Sequence, residues 1–361
     1  MTDKNFITAE KLYEKNVIYS KKSYELGNLL PHRYVLVLTN LCNLACTFCF
    51  QERKKNPNRM TTEDWLSFIE QIPENSRVSL TGGEPFVFKD FEKIFRLANS
   101  KNETNIISNG LLLDEKLIDI ILSEKNFKVL GISIDTIGNT NRDFKKGAWE
   151  KLVKNIALFK KKRDLMKSEC AIDIKTVVLD ENVKDISKIN KYVMEELQAD
   201  THSIQLLKGA DIQHSDVMFE YDKIHFSYKA HRYQDFEMLI SELEKIRLYN
   251  LKNGTKAYLH PSIIPLNTDE KINLEKYQFL NSEDHDPKHY DTCYSPWTSV
   301  HVNVDGNLFP CMAVSMGNVK NTKLKDIIFS DKFNNFKSDI KKNKTISGCN
   351  RCGWLKIKPL K

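Results

Sequence analysis

The sequence contains no apolar stretch long enough to cross a lipid bilayer, which needs about 20 consecutive apolar residues. Its first residues are polar and mixed, and they lack the apolar segment of a signal peptide. Internal repeats and low-complexity segments are also lacking. These absences exclude a membrane-spanning helix and a repeat architecture, and they predict a cytoplasmic chain. In a reducing compartment its eight cysteines are expected to be thiols or metal ligands rather than disulfides.

A strong excess of one charge is lacking too, since 55 basic residues face 48 acidic ones and leave a net charge of +7 on 361 residues. The basic run at residues 160–163 contains no aromatic residue, whereas proteins that bind single-stranded nucleic acid interleave the two types. We interpret the run as the solvated end of a helix, where cations suit the helix dipole. Neither nucleic acid nor a membrane is an expected partner.

From residue 34 onward, short apolar runs alternate with amphipathic stretches. Such alternation indicates parallel βαβ units, which predicts an α/β fold with functional groups at the carboxyl ends of the strands. Six units span residues 34–208 and predict a partial (β/α)6 TIM-like barrel. The predicted strands cover residues 34–39, 77–81, 104–108, 127–134, 171–178 and 203–207.

Three further units are predicted around this core. Residues 1–33 form a helical extension, and residues 209–290 form a bridging region with one clear amphipathic helix at 234–251. Residues 291–361 form a small C-terminal domain, in which a hairpin turns at Asp305-Gly306 and two short helices follow.

Three cysteines follow the first predicted strand within eight residues, at Cys42, Cys46 and Cys49. Thiolates are soft ligands that select iron–sulfur clusters, zinc or copper(I). A structural zinc site needs a fourth ligand from elsewhere, whereas a four-iron cluster can leave one iron open. A zinc knuckle or a group of buried thiols remains the alternative for this trio alone.

The Cys-x3-Cys-x2-Cys spacing, with Phe48 before the last cysteine, resembles the radical S-adenosylmethionine (SAM) enzymes. Gly82-Gly83-Glu84 follows the second strand, where that family has a Gly-Gly-Glu stretch. The resemblance implies that the trio holds a 4Fe-4S cluster, that its open iron binds SAM, and that the Gly-Gly-Glu stretch binds the SAM amino group. It also implies SAM contacts, to the carboxylate and the ribose, from Ser108, Asn109, Ser133 and Asp135.

Alternatives remain for these strand-end residues, because Ser108 and Asp135 could instead cap the helices that follow them. Thr176, Asn182 and Lys208 are weaker candidates for ligand contact.

A second cysteine group consists of Cys293, Cys311, Cys349 and Cys352. It resembles the SPASM domain of radical SAM enzymes in its truncated Twitch form, which implies an auxiliary 4Fe-4S cluster closed by four cysteines. A structural zinc site is the alternative for these four residues. Cys170 is left over, and we expect it to be a small buried hydrophobe rather than a hydrogen-atom donor.

The resemblance implies that an external electron donor, flavodoxin or ferredoxin, reduces the first cluster. SAM cleavage then gives a 5′-deoxyadenosyl radical that abstracts a substrate hydrogen atom.

Because no sizeable peptide-binding domain precedes the core, we predict net oxidation of a small polar substrate, such as a sugar or aminocyclitol. The alternative is a maturase that modifies a ribosomally made peptide or protein, and the third hypothesis is a non-catalytic zinc or iron–sulfur scaffold. Candidate bases are His214, His225, His231 and Tyr290.

Overall fold

The computed structural model describes residues 9–51, 58–207, 211–213, 215–259, 263–352 and 354–358. Its centre is one sheet, and the strands found within those ranges are β1 Arg33–Val37, β2 Arg77–Thr81, β3 Glu103–Ser108, β4 Phe127–Ser133, β5 Ala171–Val178, β6 Thr201–Leu206, β7 Ala257–Leu259, β8 Ser299–Val302, β9 Asn307–Phe309 and β10 Gly317–Asn318. Their order across the sheet is β10-β9-β8-β1-β2-β3-β4-β5-β6-β7.

The six strands β1 to β6 lie side by side in chain order, and each runs parallel to the next. This arrangement confirms the α/β class and the six-strand core predicted from the sequence. It brings the carboxyl ends of all six strands to one edge, where the predicted site residues follow β1, β2, β3 and β4.

Helices connect the strands, and within the described ranges they are α1 Ala9–Leu26, α2 Thr62–Glu70, α3 Phe91–Lys101, α4 Glu115–Leu122, α5 Ala148–Leu165, α6 Ile186–Glu195, α7 Phe236–Asn253, α8 Leu274–Tyr277, α9 Leu324–Ile328 and α10 Asp331–Asn343. Polar side chains fix where several begin. Thr61 and Asp64 form a capping box at α2, and Asp114 accepts a hydrogen bond from the Leu117 N–H at α4.

The sheet continues beyond the six-strand core at both edges. β7 adds a parallel strand beside β6, and β8 adds one beside β1, with Arg33 opposite Ser299. β8 and β9 form the hairpin predicted at Asp305-Gly306. The C-terminal hairpin therefore extends the same sheet across residue 291, where the sequence analysis places a domain boundary.

The N-terminal helix packs against the C-terminal part of the chain. The Tyr24 ring at the end of α1 lies 4.6 Å from the Tyr294 ring and 4.7 Å from the Trp297 ring, measured between centroids. Tyr19 stacks on His32 just before β1 at 4.6 Å. The extension predicted at residues 1–33 is thus a helix, from Ala9 onward, that connects β1 to the segment before β8.

The basic run at residues 160–163 lies in the last turns of α5, as predicted, but it is not fully solvated. Arg163 is buried, and its guanidinium Nη1 lies 2.5 Å from a carboxylate oxygen of Asp200, which compensates its charge. Lys162 pairs with Asp119 at 2.7 Å. Within the described ranges, the structure has no helix with the length and apolar character needed to traverse a bilayer.

Candidate functional site

The loop that carries the first cysteine trio starts directly after β1. The Leu38 N–H donates to the Thr81 carbonyl at 2.9 Å, so the loop begins beside the end of β2. Within it, the Leu44 N–H points at Cys42 Sγ at 3.4 Å. All three cysteines, Cys42, Cys46 and Cys49, are partly exposed. The trio thus lies at the carboxyl edge of the sheet, in a loop whose backbone can donate hydrogen bonds to sulfur.

Gly82 and Gly83 lie against the backbone that leads into this loop. The Gly83 N–H donates to the Thr39 carbonyl at 2.6 Å. A Cβ atom on Gly82 would lie 2.5 Å from the Thr39 carbonyl oxygen, and one on Gly83 would overlap the Leu41 carbonyl. Glycine is therefore required at both positions for the close approach of two backbone segments.

Glu84 follows them, and its side chain is completely buried. One carboxylate oxygen accepts the Ser108 hydroxyl at 2.9 Å, and the other accepts the Asn109 N–H at 2.8 Å. Burial raises the pKa of Glu84 to about 7, against these stabilising hydrogen bonds. The structure thus brings together three predicted site residues around a carboxyl group whose negative charge a cationic ligand would stabilise.

Asn109 connects this carboxyl group to the cysteine loop. Its side-chain amide donates to the Asn43 side-chain oxygen at 2.8 Å and lies 3.8 Å from Cys42 Sγ. The loops after β1, β2 and β3 therefore form one hydrogen-bonded unit around the trio.

Asp135 is fully buried, and its carboxylate is already engaged. One oxygen accepts the Val177 N–H at 2.7 Å, and the other lies 2.5 Å from Nε of Arg142. Burial raises the pKa of Asp135, and Arg142 opposes this shift. In this geometry the carboxylate positions Arg142 and the end of β5, whereas the sequence analysis predicts a ribose contact.

Arg142 is the residue that sequence reasoning missed. Its Nη1 lies 3.9 Å from Cys46 Sγ, and its guanidinium carbon lies 5.3 Å from the centre of the Phe48 ring. The guanidinium thus joins the trio to the end of β4. The loop that carries it, Asn139-Thr140-Asn141-Arg142, contains no motif that would have identified it.

The remaining strand-end candidates hold the backbone together. The Ser133 carbonyl accepts the side chain of Asn139 at 3.1 Å, and Asn182 donates to the Asp135 carbonyl at 2.8 Å. Thr176 is fully buried, donates to the Ile134 carbonyl at 2.5 Å and lies 2.8 Å from His202 Nε2. Asn182 and Thr176 are therefore bonded between strands rather than directed towards a ligand. Lys208 lies outside the described residues.

The second cysteine group lies in the C-terminal region. Cys293, Cys311, Cys349 and Cys352 are all buried. Burial raises the pKa of Cys349 well above its usual range, and the neighbouring Cys311, Cys352 and Cys293 raise it further. The Ile346 N–H donates to Cys349 Sγ at 3.4 Å. Four neighbouring buried thiols supply soft ligands from one region, so this donor set fits a thiolate-bound metal centre.

The other candidates occupy varied surroundings. His231 Nε2 lies 3.0 Å from a carboxylate oxygen of Asp180, and His225 Nε2 lies 3.6 Å from one of Asp339. Tyr290 is buried against His285, and His214 lies outside the described residues. Cys170 is fully buried, in agreement with the expected hydrophobic role.

In the described part of the chain, no group of three or more His, Cys, Asp or Glu side chains has an arrangement that could hold a metal ion. The fit of a thiolate-held cluster rests instead on the donor types and their neighbours. The Leu44 N–H, the Asn109 amide and the Arg142 guanidinium lie next to sulfur atoms of the trio and would stabilise thiolates there.

Comparison with known proteins gives a match for each of the two regions that contain a cysteine group. Residues 36–193 match the radical SAM superfamily, and residues 293–353 match the SPASM iron-sulfur cluster-binding domain. The sporulation killing factor maturation protein SkfB of Bacillus subtilis is 27% identical over 46% of this chain and 40% of that protein. The chain therefore aligns with about two fifths of that relative.

Two further similarities cover more of the chain. The antilisterial bacteriocin subtilosin biosynthesis protein AlbA of Bacillus subtilis is 23% identical over 67% of this chain and 59% of that protein. The crystal structure of Streptococcus suis SuiB bound to precursor peptide SuiA has a TM-score of 0.59, with 18% identity, covering 91% of this chain and 71% of that one. At this identity the structural similarity concerns the fold.

The two domain matches cover the loops that hold the two cysteine groups, and they distinguish a radical SAM site from an isolated zinc knuckle. The chain therefore carries a radical SAM domain at residues 36–193 and a SPASM iron–sulfur cluster-binding domain at residues 293–353.

Proposed function

We propose that this protein is a radical SAM maturase that modifies a ribosomally made peptide. The observation that carries the proposal is the pairing of a radical SAM domain with a SPASM domain in a chain whose relatives bear the names of a maturation protein and a bacteriocin biosynthesis protein. The sequence analysis prefers a small polar substrate and keeps the peptide as its alternative. The relatives support the alternative better.

The charged side chains near the cysteine trio are opposite in sign to the charged groups of SAM, so this site could hold SAM. When bound at the cysteine trio, a 4Fe-4S cluster and SAM supply a 5′-deoxyadenosyl radical. Glu84 would accept the SAM ammonium group, because its buried carboxylate accepts hydrogen bonds from neutral groups and only the more distant Arg142 charge also acts on it. Arg142 lies beside Cys46 and would attract the SAM carboxylate. Gly82 and Gly83 keep the space between the two loops free of side chains.

The second site would hold an auxiliary 4Fe-4S cluster through Cys293, Cys311, Cys349 and Cys352. Four protein thiolates would leave no iron open to a substrate, so this cluster would take up or relay electrons rather than bind the peptide. An external donor such as flavodoxin or ferredoxin would supply the electron that starts the reaction.

The test begins with anaerobic reconstitution with iron and sulfide, followed by addition of dithionite and SAM. Formation of 5′-deoxyadenosine is expected from the wild type and not from Cys46→Ala. A short open reading frame is then sought beside the gene, the peptide it encodes is co-expressed with the protein, and the peptide is analysed by mass spectrometry. Loss of a pair of hydrogen atoms, or hydrogen exchange at one α-carbon, supports peptide cross-linking or epimerisation.

Two results would contradict the proposal in different ways. An unmodified peptide together with turnover of a sugar or aminocyclitol would restore the small-substrate hypothesis. No 5′-deoxyadenosine from fully reconstituted protein would favour a non-catalytic scaffold.

A further inference from the structure

Arg142 ends a short helical turn after β4 whose backbone is unusual on both sides. Asn139 before the turn and Asp143 after it have φ of 52° and 56°, in the left-handed region that residues other than glycine rarely adopt. The buried Asn139 side chain holds the turn against β4, because its oxygen accepts the Asp135 N–H at 2.8 Å and its nitrogen donates to the Ser133 carbonyl at 3.1 Å. Two unfavourable backbone conformations around one turn favour a functional role for the residue that the turn positions.

Both oxygens of the Asp135 carboxylate are already engaged. The side chain is completely buried, one oxygen accepts the Val177 N–H at 2.7 Å, and the other lies 2.5 Å from Arg142 Nε. Because solvent does not reach the carboxylate, a ribose hydroxyl could approach it only if one of these two partners moved away. The contact that the structure does show leads from Asp135 to Arg142.

The Arg142 side chain extends from Asp135 into the first cysteine site, and it remains 11% exposed. Its Nη1 lies 3.9 Å from Cys46 Sγ. Burial raises the pKa of Glu84, and the Arg142 charge opposes that shift, so these two side chains lie within electrostatic reach of each other. A guanidinium and a carboxylate beside the trio match the carboxylate and the ammonium group of an amino acid.

We propose that Asp135 is a positioning residue that acts on the methionine part of SAM through Arg142, rather than a residue that contacts the ribose. The proposal rests on the proposed function, because it requires a cluster and SAM at the first cysteine site. Without the Asp135 charge, the guanidinium would leave its place beside Cys46, and the SAM carboxylate would lose a cationic hydrogen-bond donor. SAM binding would then depend on Asp135 only as far as it depends on Arg142.

A double-mutant cycle on the full chain tests this coupling. The wild type, Asp135→Asn, Arg142→Gln and the double variant are reconstituted anaerobically with iron and sulfide, and SAM binding is measured by equilibrium dialysis. We expect each single variant to bind SAM roughly tenfold more weakly, and the double variant to bind it no more weakly than Arg142→Gln does. Arg142→Lys, which keeps the charge, is expected to recover part of the loss.

A second measurement separates the two ends of SAM. Methionine has the ammonium and carboxylate groups of SAM but no ribose, so it serves as a competitor of labelled SAM. Asp135→Asn is expected to weaken the binding of methionine and of SAM by the same factor. Wild-type affinity of Asp135→Asn for methionine, together with weaker binding of SAM, would assign Asp135 to the ribose and overturn the proposal.

Asp200 provides a matched control, because its carboxylate also accepts an N–H of β5 and also faces an arginine. It accepts the Ile172 N–H at 2.7 Å and lies 2.5 Å from Arg163 Nη1, at the amino end of the sheet. Asp200→Asn should therefore leave the binding of SAM and of methionine unchanged.

Losses of SAM affinity that multiply in the double variant would overturn the proposal. Loss of iron from Asp135→Asn but not from Arg142→Gln would also overturn it, because the role of Asp135 would then not pass through Arg142. If both single variants lose iron from the first site equally and the double variant loses no more, the coupling is supported at the cluster itself. A wild-type protein that binds neither a cluster nor SAM would instead contradict the proposed function.

Discussion

At the scale of single residues, Glu84 stands out because three neutral groups donate to a carboxylate that water does not reach. The Ser108 hydroxyl and the N–H groups of Asn109 and Phe86 stabilise its charge, yet burial still raises its pKa to about 7. Such a group gains most from a ligand that brings its own positive charge. This makes Glu84 the sharpest single-residue test of the SAM site.

Glu84→Gln keeps the shape of the side chain but removes its charge. We expect SAM binding to the reconstituted protein to weaken by roughly tenfold to a hundredfold, because a hydrogen bond to a charged group contributes about 1.5–3 kcal/mol. Anaerobic equilibrium dialysis with SAM measures this change. Glu92→Gln on the exposed surface of α3 is the matched control and should bind as the wild type does. Unchanged binding by Glu84→Gln would remove Glu84 from the site.

His202 predicts a pH dependence of stability. Burial lowers its pKa from 6.5 to about 4, although the nearby Asp173 charge opposes the shift, and its ring nitrogens lie within hydrogen-bond distance of Thr176 and Asn190. The unfolded chain binds a proton at higher pH than the folded chain does, so the free energy of unfolding falls as pH drops from 6.5 towards 4. A shift of this size corresponds to about 3 kcal/mol.

Urea unfolding between neutral pH and about pH 4 measures this loss. His202→Gln should flatten the dependence, whereas His225→Gln, at an exposed position, should leave it unchanged. His285 contributes in the same direction, because burial also lowers its pKa to about 4. A slope in His202→Gln as steep as that of the wild type would show that the ring is not the cause.

At the scale of elements, the two glycines after β2 allow two loops to meet. Gly83→Ala places a methyl group against the Leu41 carbonyl, so the backbone must move. We expect a loss of roughly 1–3 kcal/mol from the overpacked contact. We also expect loss of iron from the first site, with the C-terminal site still loaded.

Iron and sulfide analysis of the reconstituted variant, with electron paramagnetic resonance of each cluster, measures this outcome. Gly147→Ala is the control for backbone strain alone, because its φ of 79° disfavours alanine although a Cβ there meets no atom within 4 Å; it should lower stability but keep iron in the first site. A Gly83→Ala protein that keeps both clusters and its stability would show that close approach is not needed.

The strands predicted from the sequence are those in which the apolar run is long enough to be recognised. β1 to β6 have five to eight residues each and lie between clear helices, so their order followed from alternation. β7 has three residues and β10 two, and neither shows a period. The pairing of β8 with β1 joins residues almost 270 positions apart, which local pattern cannot reveal.

The site residues also divide into those that the sequence predicted and those that it did not. Motif residues such as Cys42, Gly83 and Glu84 were found because their types and spacing match a known chemistry. Arg142 was missed because it acts through tertiary contacts, with Asp135 and Phe48. A basic residue in an unpatterned loop gives no signal until the fold brings its partners close.

At the scale of the whole molecule, the continuous sheet predicts that the C-terminal hairpin unfolds together with the core. In native-state hydrogen exchange, the amides of β8 and β1 should show the same protection and the same dependence on denaturant. The amides of α7, a helix whose Leu248 and Leu251 side chains are exposed, provide an internal reference. If β8 exchanges much faster than β1, the C-terminal region is an independent domain instead.

The pairing of β8 with β1 also has a consequence during synthesis on the ribosome. β1 precedes the cysteine trio, yet the strand that covers one of its edges ends only at Val302. Until that part of the chain emerges, the nascent protein presents one unpaired edge of a mostly apolar strand near three partly exposed thiols. Premature termination before residue 299 would therefore release a fragment that is prone to aggregation and to thiol oxidation. We expect the yield of folded protein to depend on chaperones and on low oxygen.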